Sequence, residues 1–200
     1  DGKFFYTESK SNDMAYVAAA NFETGEILDE PRHVSERFPG VQSLPVWSAD
    51  GSRVMLAIQR SQRRFVSVSL AAGEAAEFPL QTLLNDMPIQ RIAWSPDGTQ
   101  LLVQGSSAVS RAHGIHRYDL RAGSMETLVK QRDTADYDWN SHPRFAPDGK
   151  SFFYDRRKFP GRNEAVSGRF TDRIVRRDLR TGTEQVVYEP TAKLQVWWPF

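Results

Sequence analysis

Apolar residues along this chain fall in short runs, broken by single polar positions and closed by Asp, Gly, Pro or Ser. Ile92-Ala93-Trp94 is followed by Ser95-Pro96-Asp97-Gly98 and then by Leu101-Leu102-Val103. Proline presets φ for a turn, and glycine takes the positive φ that a tight reversal needs, so this segment predicts a β-hairpin. Helical periodicity is weak throughout. Gln81-Thr82-Leu83-Leu84-Asn85-Asp86-Met87 has the composition of one helical turn, but it lies between strand-rich stretches and is read as a loop.

The hairpin recurs. Pro45-Val46-Trp47-Ser48-Ala49-Asp50-Gly51 and Pro143-Arg144-Phe145-Ala146-Pro147-Asp148-Gly149 match it nearly position for position, and Asp1-Gly2-Lys3-Phe4-Phe5-Tyr6 is the back half of a fourth copy. The aspartates at 1, 50, 97 and 148 stand 49, 47 and 51 residues apart. A second signal keeps the same period: the segments 21–25, 69–73, 119–123 and 178–182 each end in glycine between two β-rich runs. Each period therefore holds four short strands joined by tight turns, which is the sequence form of a propeller blade. The prediction is an all-β propeller of four-stranded antiparallel blades in one domain, 1–200. Blade one covers about 1–41, blade two 42–88, blade three 89–138 and blade four 139–193.

Trp-Ser-Pro-Asp-Gly ahead of an apolar strand, as at Trp94 to Gly98, resembles the WD-like Pro-Asp repeat of TolB and its relatives. Blade two departs from it with Ala49 in place of proline, and blade four with Phe145-Ala146 in place of Trp-Ser. Similar repeats occur in the propellers of prolyl-oligopeptidase-type peptidases, tricorn-like proteases, oligogalacturonate lyases and some membrane-anchored bacterial regulators. The resemblance to TolB implies a non-catalytic binding module, a protein or peptide partner met at the channel mouth, and a periplasmic or cell-envelope location. The other relatives imply different readings: the propeller domain of a peptidase or lyase, or the sensory domain of a regulator. A propeller fold alone does not choose among them.

Leu194-Gln195-Val196-Trp197-Trp198-Pro199-Phe200 reads as a first strand without its turn. Read on to Asp1 it completes blade one and closes a four-bladed ring, which buries the last sheet edge. The alternative is four blades from a six- to eight-bladed parent with other domains attached. The latter is preferred, because an isolated four-bladed ring is rare among these relatives.

Apolar content of 40% and charged content of 26% are ordinary for a globular protein. No run approaches the roughly 18 apolar residues of a membrane helix, so direct membrane insertion is not expected. Asp1-Gly2-Lys3 opens in mid-motif without a signal peptide, which leaves compartment to the resemblance. Cysteine is absent, excluding disulfides, thiolate metal sites and a cysteine nucleophile. A net charge of +1 gives no steering toward nucleic acid. The charge is uneven, however: Arg156 to Arg180 carries nine Lys or Arg against three acids, on a body that is otherwise acidic.

Candidate chemistry is sparse. The motif aspartates are expected to cap their own turns, and Trp47, Trp94 and Phe145 to pack between blades. There is no Gly-x-Ser-x-Gly elbow, His-Glu-x-x-His or phosphate loop, so no catalytic residue is assigned. His113 and His116, three apart in a strand, should face opposite ways. His142 is more suggestive. Asp138, Trp139 and His142 lead into the first strand of blade four, where a His-Pro step resembles the metal-binding histidines of oligogalacturonate lyases. Only this blade has it, and the equivalent residues elsewhere are Leu44 and Arg91. A metal site needs three or more ligands, so no cofactor is expected, and a divalent metal enters only if His142 finds companions. Asp138, Trp139, His142, Arg144 and Arg91 are the candidate ligand-binding residues. Arg156, Arg157, Lys158 and Arg162 form a candidate partner-binding patch on an extended loop between the second and third strands of blade four.

Overall fold

The computed structural model describes residues 2–9, 13–34, 41–59, 63–71, 75–78, 89, 91–106, 113–131, 137–159 and 171–190. Every regular element among them is a strand. The strands form four antiparallel sheets in chain order, as the repeat predicts. The first holds β1 (Gly2–Ser9), β2 (Asp13–Asn21), β3 (Glu26–Ile27) and β4 (Arg32–His33), with both short strands pairing on β2. The second runs β5 (Val41–Trp47), β6 (Arg53–Gln59), β7 (Arg63–Ser69), β8 (Ala75–Phe78). The third is β9 (Arg91–Trp94), β10 (Gln100–Ser106), β11 (His113–Asp119), β12 (Ser124–Lys130), and the fourth β13 (Tyr137–Phe145), β14 (Ser151–Phe159), β15 (Thr171–Asp178), β16 (Glu184–Tyr188).

Both turn signals do what their residue types dictate. At the Asp-Gly turns the N–H of Gly51, Gly98 and Gly149 donates to the carbonyl of Ser48, Ser95 and Ala146, and each glycine sits at a φ of 66–70°. The glycine-ended turns close one residue wider, Gly25 to Asn21, Gly123 to Asp119 and Gly182 to Asp178. There the side chain of Asn21, Asp119 or Asp178 accepts two further backbone N–H bonds. Asn and Asp earn these positions because their short side chains can bond the backbone two and three residues on.

The chain divides into two compact units, 1–81 with the first two sheets and 82–200 with the last two. Each unit closes its own apolar cluster. In 1–81, Ala15 and Val17 of the first sheet meet Val54, Leu56, Val66 and Val68 of the second, with Trp47 against them. In 82–200, Ala93, Leu102 and Ile115 of the third sheet meet Phe152, Tyr154 and Val175 of the fourth, with Phe145 against them. The middle strands β6 and β10 are apolar in unbroken runs because both their faces are covered.

Two expectations need correction. Arg156, Arg157 and Lys158 are not in a loop. β14 continues through Phe159, because each of these residues finds a partner on both sides: Arg156 opposite Asn140 and Arg173, Arg157 opposite Trp139 and Asp172, Lys158 opposite Asp138 and Thr171. β13 begins at Tyr137, so Asp138 belongs to the fourth sheet and not to the third blade. The predicted loop at Gln81 to Met87, the glycine turn at 69–73, Arg162 and the strand at 194–200, with the ring closure it would make, lie at least partly outside the described residues.

Candidate functional site

The fourth sheet is where the repeat is broken. Along β13 and β14, Ser141 faces Asp155 and Arg144 faces Phe153, so His142 and Pro143 together oppose Tyr154 alone. β5 and β6 carry the same bulge, with Leu44 and Pro45 opposite Leu56. In β13, however, the bulge holds His142 at φ 52°, and it is the one non-glycine residue with positive φ among the described residues. A non-glycine side chain in that region costs energy, and a bulge re-aims the side chain it carries. Here the imidazole is turned to β14, where Nδ1 lies 3.0 Å from Asp155 Oδ2 and 3.1 Å from Ser141 Oγ. The His142 backbone N–H donates to Gln104 Oε1 of the third sheet at 3.1 Å. With Nδ1–H on the carboxylate, Nε2 is left without a partner among the described residues.

Counted from the motif aspartate of each blade, His142 and Asp155 occupy the places of Leu44 and Ala57 in blade two and of Arg91 and Gln104 in blade three. These two positions are both apolar in blade two, Arg and Gln in blade three, and a His–Asp contact in blade four.

His142 and Arg144 line a recess of about 330 Å³ together with Phe153, Tyr154, Asp155, Ile174 and Val187. Its walls are largely apolar, with His142, Arg144 and Asp155 among the lining residues. Arg144 Nη1 donates to the carbonyls of Pro143 at 3.2 Å and Ile92 at 3.4 Å. Desolvation, and after it the charge of Arg91, pull this guanidinium below its ordinary value although the residue reaches solvent.

The other candidates are placed elsewhere. Trp139 stacks at 5.3 Å on His113, whose proton affinity is lowered by desolvation. Asp138 accepts a hydrogen bond from Gln131 Nε2 through its backbone carbonyl. His116 is fully buried, with Nε2 3.0 Å from the Gly105 carbonyl and Nδ1 3.1 Å from Thr127 Oγ1. It is a satisfied core histidine, and burial lowers its proton affinity. Among the described residues no group of three His, Asp or Glu gathers to hold a metal at His142 or elsewhere.

The basic stretch is engaged within its own sheet. Arg157 makes a two-pronged pair with Asp172 through Nε at 2.7 Å and Nη2 at 3.1 Å. Arg173 brings Nε and Nη2 to a single oxygen, Glu189 Oε1, at 2.9 and 2.7 Å. Glu184 accepts from Arg156 at 2.7 Å, from Arg177 at 2.8 Å and from the Tyr154 hydroxyl at 2.8 Å. Burial pushes Glu184 up, but these donors outweigh it and hold the carboxyl below its ordinary value. Asp155, Phe153, Ile174 and Val187 were not anticipated as site residues. Reading the repeat as columns would have exposed Asp155, since Ala57 and Gln104 occupy its place in the earlier blades.

Sheets of four antiparallel strands, strung along the chain and entered through Asp-Gly hairpins, define a β-propeller protein. No family model matches the sequence, and no curated protein matches it. Solved structures do. TolB from Acinetobacter baumannii matches over 93% of this chain and 41% of its own, at 18% identity and a TM-score of 0.61. An oligogalacturonate lyase in complex with manganese matches over 94% of this chain and 47% of its own, at 13% identity and a TM-score of 0.52. A puromycin-hydrolysing peptidase of Mycobacterium tuberculosis matches over 98% of this chain and 28% of its own, at 15% identity and a TM-score of 0.55. The chain thus spans less than half the length of each, and the likeness establishes the fold: a TolB-like β-propeller.

Proposed function

We propose that this chain is a non-catalytic propeller module that binds a peptide or protein segment in the recess beside His142, in the envelope of a bacterium as its likeness to TolB suggests. The observation that carries the reading is the bulge. A histidine held at positive φ, oriented by Asp155 and lining a largely apolar recess with Arg144, is a costly arrangement that packing alone does not require, since Leu44 and Ala57 serve in blade two. The basic stretch is less suited, because Arg156 and Arg157 already satisfy Glu184 and Asp172. Peptides selected from a random display library on the purified chain should perturb the amide signals of His142, Arg144 and Phe153. They should also lose affinity for Val187→Asp, a substitution at an exposed position. Selected peptides that bind Val187→Asp equally well would refute the reading.

The His142–Asp155 pair also favours a second reading, the propeller domain of an enzyme. A carboxylate on Nδ1 orients an imidazole whose Nε2 can act as a base. Hydrolysis or elimination with a pH profile that His142→Ala abolishes, on a peptide or acidic-glycan panel, would establish it.

A further inference from the structure

Resting on the recess being a peptide site, we propose that it takes the C-terminal carboxylate of a peptide whose last side chain is apolar, with Arg144 gripping the carboxylate and Phe153, Ile174 and Val187 receiving the side chain. The arginines of this sheet show the rule by which it is argued. In Arg157 the Nε–Nη2 edge of the guanidinium forks onto both oxygens of Asp172, and in Arg173 the same edge closes on one oxygen of Glu189. That edge matches the two oxygens of a carboxylate in spacing and direction. Arg144 is anchored differently: Nη1 alone is used, on the carbonyls of Ile92 and Pro143. Its Nε–Nη2 edge has no carboxylate among the described residues, on a side chain that lines the recess.

Arg91 is close enough to repel it. A guanidinium without a counter-charge beside a second cation is stabilised by an anion, and the gain is larger where water is partly excluded. His142 lines the same recess, with Nε2 unpartnered among the described residues, and it offers a second donor when protonated. Asp155 also lines the recess, with its carboxylate engaged by His142 Nδ1, and Phe153, Ile174 and Val187 make the wall apolar beyond it. A carboxylate one carbon away from an apolar side chain satisfies both ends of such a space, and this is the geometry of a C-terminal residue. An internal Asp or Glu places its charge at the end of its own side chain and leaves the apolar wall unfilled.

Titration calorimetry of the full chain with N-acetyl-Ala-Leu, its C-terminal amide and octanoate tests this. The acid should bind about tenfold or more tighter than the amide, since a charge-assisted fork is lost in the amide. In Arg144→Gln, confirmed folded by circular dichroism, the ratio should fall to about one. Arg144→Lys, which keeps the charge without the fork, should fall between. Acid and amide binding alike, with both lost in Val187→Asp, would overturn the carboxylate and leave the peptide recess standing. Octanoate matching the acid would overturn the peptide terminus as occupant. If neither peptide bound, both readings would fail together. The comparison of acid with amide uses the unaltered chain, so misfolding of a variant cannot mask the result.

Discussion

At Asp50 the hydroxyls of Ser48 and Ser52 and the Ser52 backbone N–H converge on one carboxyl group at 2.6–3.0 Å, and Ser95 and Thr99 do the same at Asp97. The Ser48 hydroxyl first, then the Ser52 N–H, pull Asp50 down to about 2, and Ser95 and then Thr99 lower Asp97. These carboxylates are turn caps, as their Asp-Gly context predicts. His116 is lowered as well, but by a different cause: burial in the third sheet disfavours its charged form. The unfolded chain takes up that proton near the ordinary value of about 6.5, so it binds more protons than the fold as pH falls. Stability should therefore hold from pH 8 to 7, decline between 7 and 5, and decline again below about 4 as the capped aspartates and Glu184 are protonated. Melting temperatures across that range check the profile. His116→Gln should flatten the limb between pH 7 and 5, with a residue of slope from His113; an unchanged limb would contradict the assignment.

Among the strands, the fourth sheet is held by cross-strand ion pairs as much as by its apolar face. Glu184 on β16 is the shared acceptor for Tyr154 and Arg156 of β14 and Arg177 of β15, so it ties three strands together. Glu184→Ala should cost about 2–3 kcal/mol, because a partly buried acceptor of charge-assisted bonds is removed and its donors are left behind. Urea unfolding measures this, and Glu184→Gln should recover about half. The arginine-rich stretch looked like an extended basic loop because charge was counted in a window along the chain. Antiparallel register brings in acids from outside that window: Glu184 pairs with Arg156 and Arg177, and Glu189 with Arg173. Strand pairing, not composition, decides which charges are neighbours.

For the molecule as a whole, two apolar clusters carry the fold, one in each compact unit. Leu56 in the first and Leu102 in the second are both at 0% exposure, in the middle strands of their sheets. Leu56→Ala and Leu102→Ala should each lower unfolding free energy by about 2–5 kcal/mol, through lost transfer energy and the cavity left behind. Chemical denaturation followed by tryptophan fluorescence would check both, and a loss below about 1 kcal/mol in either would show its cluster is not the core of its unit. The propeller class, the order of the strands and both kinds of turn were legible in the chain, since Pro, Gly, Asp and Asn act on φ and on backbone N–H groups a few residues away. Such chemistry is local, and it repeats with the sequence. His142 and Arg144 also stood out, as departures from that repeat. Their companions did not: Asp155, Phe153, Ile174 and Val187 come from three other strands. A bulge of one extra residue and the register of β13 on β14 bring them together. Those are properties of paired strands, and they exist only once the sheet has formed.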